Sequence, residues 1–212
     1  MTFTALRQKF PYQLERFKLP DVSNWDIAIV VALLSSWSLI ANVGRLVGLF
    51  PVLLLTGIPI LMSVAGLRQS YPCPALRALG WTVPRTRFFL IAIISGLSAA
   101  FAVALVVRAA GIGVVHEPAS IAVLVVTIGP IVEESFFRGF VQPWMAAITG
   151  AIPAVIGTAL CFAAIHGPVS LLQFSCFTVT GAAYGFLRLR SGSVAASTLM
   201  HSTYNFALLF VN

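Results

Sequence analysis

"PIVEESFFRGF", residues 130–140, places two adjacent glutamates and an arginine in a stretch that is otherwise apolar. "SIAVLVVTIG" (120–129) precedes it and "VQPWMAAITG" (141–150) follows. A charged side chain at the centre of a bilayer costs about 2.5–3.5 kcal/mol on insertion scales, so such residues face the interior of a helix bundle and pair with one another. Glu134 and Arg138 are four apart, share one helix face, and have the acid on the N-terminal side, the favourable order. Glu133 has no such local partner, because the residue four positions on is Phe137. A carboxylate buried without a partner titrates nearer neutrality, the range in which a general base works.

The rest of the chain supplies the apolar setting. Of 212 residues, 59% are hydrophobic and only 9% are charged, with mean hydropathy +0.97, against about 25% charged in an ordinary soluble domain. These values describe an integral membrane protein of one helical bundle. Spanning helices need about 20 mostly apolar residues. Seven segments qualify, at roughly 26–44, 46–67, 88–107, 119–146, 151–167, 169–188 and 193–211. Gly167 and Pro168 mark a helix stop after the fifth. The expected fold is therefore all-α, a polytopic membrane bundle of about seven transmembrane helices. It divides into a basic N-terminal segment (1–25), a transmembrane hairpin with a polar loop (26–87) and a helical core (88–212).

The net charge of +7 does not point to nucleic acid, because the basic residues cluster between apolar runs, where they act as topology signals and contacts to anionic lipid. Arg7, Lys9, Arg16, Lys18, Arg68, Arg77, Arg85, Arg87, Arg188 and Arg190 fall on one side, and Arg45 and Arg108 on the other. Ten against two predicts a cytoplasmic N-terminus, in the plasma (inner) membrane. Within the loop 68–87, "PALRALGW" reads as an interfacial helix with Trp81 at headgroup level. The first 24 residues, broken by Pro11 and Pro20, do not read as a cleavable signal peptide. Cys73, Cys161 and Cys176 show no CxxC spacing, and no disulfide framework is expected.

Few other titratable residues interrupt the spans. His166 closes the fifth, with Phe162 one turn earlier. His201 lies in the seventh, with Asn205 one turn later on the same face. Three segments thus each carry one polar stripe, and two Glu, two His and one Asn can converge. With straight spans, however, His166 and Glu133 fall at different depths. His116 and Glu117 read as solvated loop residues beside Pro118. "GAAYG" (181–185) reads as a small-xxx-small packing face.

"EESFFR" (133–138), "FAAIH" (162–166) and "HSTYN" (201–205) match, in this order, the EExxxR, FxxxH and HxxxN motifs of the CPBP family. The resemblance covers roughly residues 88–212. That family groups type II CAAX prenyl endopeptidases with bacteriocin-processing and immunity membrane proteins. The resemblance implies an intramembrane endopeptidase acting on a protein or peptide at the lipid bilayer. Glu133 would activate water, aided by His166. His201 and Asn205 would stabilise the oxyanion, Glu134 would pair with Arg138, and Phe162 would line the site. No cofactor is expected in this mechanism. Two histidines and a carboxylate are also a known catalytic zinc set, so the residue types equally permit Glu133, His166 and His201 as ligands. Other readings of the same residues are a non-enzymatic immunity or scaffold protein of this fold, or a proton-coupled transporter.

Overall fold

A computed structural model of the protein describes residues 79–111 and 119–211. Its elements are α1 (Thr86–Ala109), α2 (Ala119–Val126), α3 (Ile128–Phe136), a π-helical turn (Phe137–Val141), α4 (Gln142–Thr149), α5 (Ala151–Ile165), α6 (Leu171–Ser191) and α7 (Val194–Val211). Among the described residues there is no strand, so the all-α class holds. The segments expected as spans at 88–107, 151–167, 169–188 and 193–211 are helical, as α1, α5, α6 and α7. Those at 26–44 and 46–67, the segment 1–25, and His116 with Glu117 lie outside the described residues.

The sequence of α1 explains how it packs. Its buried residues are Phe88, Ala92, Gly96 and Ala100, every fourth position and hence one face. Three of the four are small, and α7 lies close against them. A Cβ added at Gly96 would stand 2.6 Å from the Met200 carbonyl oxygen and 2.9 Å from Thr203 Cβ. Helices in lipid associate through such small-residue contacts. Around the rest of α1, Phe89, Leu90, Ile94, Leu97, Phe101 and Leu105 are exposed, a contiguous apolar surface too large for an ordinary water-facing one. Both α1, about 36 Å long, and α7, about 27 Å, are long and apolar enough to cross a membrane.

The continuous helix expected over 119–146 is instead broken. Pro130 has no N–H to offer the carbonyl four residues back, and its ring clashes with that turn. The chain accordingly departs from helical geometry at Thr127 (φ −113°, ψ −74°). Thr127 bridges the gap with its own N–H, 3.0 Å from the Val123 oxygen, and with its hydroxyl, 2.7 Å from the same oxygen. Ten residues on, the helix widens into the π turn, where Gln142 N–H reaches back five residues to the Phe137 carbonyl. Pi turns of this kind recur at functional sites. Gly150, at φ +91°, ends α4 and turns the chain into α5.

Two further expectations change. Arg188, counted with the solvent-side basic residues, is only 4% exposed. Its Nε donates to the Arg138 carbonyl in the π turn, at 3.3 Å. Trp81 is part-buried and lies outside any helix, and its indole N–H donates to Ser135 Oγ at 2.9 Å. The interfacial helix expected around it does not include residues 79–81, and its remainder lies outside the described residues. Leu79 and Gly80 are buried against the bundle. Val194 N–H bonds the Gly80 carbonyl at 2.9 Å, and Ser193 Oγ bonds that of Thr82.

Candidate active site

The three polar stripes come together around one cavity of about 170 Å³. Glu133 on α3, Phe162 and His166 on α5, Tyr184 on α6, and His201 and Asn205 on α7 are among its walls. Its remaining walls come from Val125, Gly129, Phe177, Thr180 and Tyr204.

Glu133 and His166 form one half of the site. Glu133 Oε2 faces His166 Nε2 at 3.7 Å, with side chains 14% and 23% exposed. Glu133 therefore has a partner after all, across helices rather than along one. The two side chains meet where 119–149 is broken into shorter helices rather than running as one straight span. Phe162 O lies 2.7 Å from His166 Nδ1. A carbonyl can only accept, so Nδ1 carries the proton and Nε2 is the acceptor of the neutral ring. A separation of 3.7 Å is too long for a hydrogen bond, yet a water about 2.8 Å from each atom would touch both.

Glu134, Arg138 and His201 form the other half. Arg138 Nη1 is 3.2 Å from Glu134 Oε1, and both side chains are fully buried. The contact is ionic rather than a well-directed hydrogen bond, since Nη1 has no hydrogen-bond partner by geometry. Additional contacts offset the desolvation of this pair. Arg138 Nη2 donates to the Gly181 carbonyl at 2.7 Å, and the guanidinium lies over the Phe162 ring at 4.7 Å, a favourable cation–π arrangement. One turn further along, Gln142 Nε2 donates to the Gly185 carbonyl at 3.0 Å. The small face of "GAAYG" thus brings the α6 backbone up to these donors. A Cβ at Gly181 would stand 3.1 Å from the Phe162 ring and 3.3 Å from Arg138 Nη2.

The structure gives His201 a partner that the sequence did not reveal. Its Nδ1 lies 3.1 Å from Glu134 Oε1, so the carboxylate fixes Nδ1 as the protonated nitrogen and sets the ring's orientation. Tyr184 stacks on this ring at 4.6 Å and 17°, and Phe162 meets it edge-on at 5.8 Å. Asn205 also differs from a free donor. One of its amide hydrogens goes to the Val125 carbonyl at 2.9 Å, at the end of α2 where the chain breaks. An amide nitrogen has two hydrogens, so the bond holds Asn205 in place and leaves the second for a ligand. We expect Asn205→Ala to lower turnover about 10²–10³-fold, the cost of one oxyanion donor. Kinetics of the purified variant check this, and unchanged turnover would remove Asn205 from the site.

Catalytic zinc takes about three protein ligands at roughly 2.0–2.2 Å. Among the described residues no three of His, Cys, Asp and Glu are gathered to hold a metal, and His201 Nδ1 is engaged by Glu134.

Sequence comparison adds the class. Residues 115–207, which carry all three motifs, match an endopeptidase family model. The family is described as type II CAAX prenyl endopeptidase Rce1-like. The match is consistent with the CPBP resemblance. Comparison with curated proteins and with solved structures gave no match.

Proposed function

We propose that the protein is an intramembrane endopeptidase that hydrolyses a peptide bond of a membrane-associated protein or peptide, without a metal. The observation that carries this reading is the Glu133–His166 pair, 3.7 Å apart on the wall of a shared cavity with His201 and Asn205. Water held between them donates one hydrogen to the Glu133 carboxylate and the other to His166 Nε2. Its lone pair is then directed away from both and toward the substrate carbonyl. Glu133 takes the proton as the water oxygen bonds to the carbonyl carbon, and returns it to the leaving nitrogen as the C–N bond breaks. The second Asn205 N–H, and His201 Nε2 when its ring is charged, donate to the carbonyl oxygen as negative charge develops there. Glu134 and Arg138 act behind this, holding His201 and Phe162.

The protein is a multi-pass membrane protein with its N-terminus in the cytoplasm, and its substrates have CAAX-type C-termini or processed leaders. Comparing peptide termini in membrane fractions from cells carrying wild-type protein or Glu133→Gln tests this. New termini that need the wild-type protein would support it and name the substrate. Identical termini in both would count against it. The purified active protein is also expected to hold well under one equivalent of zinc and to keep its activity in chelator. Stoichiometric zinc, with activity lost to chelation and restored by the metal, would overturn the metal-free mechanism.

A further inference from the structure

Tyr184 belongs to none of the three motifs, yet it is a wall of the cavity. Its side chain is only 1% exposed, and its hydroxyl oxygen is buried with no hydrogen-bond partner. Such an orphan is uncommon, since leaving a buried polar group unpaired costs about 1–3 kcal/mol. The ring is parallel to that of His201 at 4.6 Å, which places Tyr184 beside the proposed oxyanion donors. Asn205, one of those donors, has one of its two amide hydrogens committed to Val125. A phenol is a strong hydrogen-bond donor held on a rigid ring, the type of group that stabilises developing charge without reorganisation.

We propose that the Tyr184 hydroxyl finds its missing partner in the substrate, donating a hydrogen bond to the carbonyl oxygen of the bond being cleaved. This rests on the endopeptidase reading above. The aromatic ring, stacked on His201 and 5.5 Å from Arg138, is structural, and the hydroxyl is the functional part.

Tyr184→Phe separates the two, because it keeps the ring and deletes only the oxygen. The test uses the full chain in detergent and an internally quenched peptide with a farnesylated Cys-aliphatic-aliphatic-X terminus. Wild type, Tyr184→Phe and Glu133→Gln are compared, together with binding of the matching phosphonamidate, whose anionic oxygens mimic the tetrahedral intermediate. The expected result is a kcat lowered about 10²–10³-fold in Tyr184→Phe, with KM little changed. Phosphonamidate binding should be weakened to a similar degree, and the melting temperature unchanged or higher. A kcat within threefold of wild type would overturn the proposal. So would a melting temperature several degrees lower, which would mean that the hydroxyl has a structural partner such as a bound water. Wild type that neither cleaves this peptide nor releases new termini in membrane fractions, or Glu133→Gln that cleaves equally well, would overturn the endopeptidase reading itself, and the Tyr184 assignment with it.

Discussion

Glu133→Gln is expected to lower turnover about 10²–10⁴-fold, the usual contribution of a general base, while leaving the fold intact. The geometry supports a clean result. Glutamine has the shape of glutamate, and Glu133 Oε2 has no hydrogen bond that the fold would lose. What disappears is the capacity to accept a proton. KM should change little, because on this mechanism the carboxylate would act on water rather than on the ground-state peptide. His166→Ala should cost a similar amount, and the double variant little more than either, since the two would act as a unit on one water. Kinetics and thermal melting of the three purified variants decide the matter. Turnover of Glu133→Gln within a few-fold of wild type would place the base elsewhere, and strictly additive losses would show that the pair does not share a water.

The second large effect is on stability. Arg138→Ala should destabilise the protein by about 3–5 kcal/mol, the cost of leaving a buried charge without its partner. Three losses combine at this residue. Glu134, fully buried, keeps His201 beside it but loses its cation. The Gly181 carbonyl loses its donor, and a space opens where the guanidinium filled the gap under Phe162. The melting temperature in detergent should fall by on the order of 10 °C, with activity falling too because His201 is no longer held. Adding Glu134→Gln to the same chain should recover part of the stability, since it removes the stranded charge. Arg138→Ala melting like wild type would refute this account of the pair.

What could be read in advance divides along chemical lines. The Glu134–Arg138 contact depends on two positions of one helix turn, so spacing alone exposes it. Convergence of Glu133 and His166 followed from three motifs in order, although no spacing rule connects residues on separate helices. The break at Thr127 was available in principle, because Pro130 lacks an N–H, but the apolar run on either side looked continuous. Asn205 could not be placed, since its partner is a backbone carbonyl that exists only because of that break. The same holds for Arg188, which serves the Arg138 carbonyl in a π turn that no residue pattern announces. Tyr184 was hidden for a different reason. It lies between two glycines whose packing role accounts for the segment, and only its unpaired oxygen in the folded protein marks it out.

The reach of Arg138 has a consequence for how the chain is made. The arginine meets Glu134 within its own turn, as soon as that turn forms. Its second acceptor, the Gly181 carbonyl, lies 43 residues downstream, and at about 5–20 residues per second that carbonyl is synthesised roughly 2–9 s later. His201, the other neighbour of Glu134, is 67 residues from it and follows later still. The nascent segment therefore waits with an ion pair only half accommodated, and α7, translated after the other described helices, is the one that completes it. A ribosome stalled before α7 would leave on the membrane a chain with its charges in place and no finished site around them, a ready substrate for quality control.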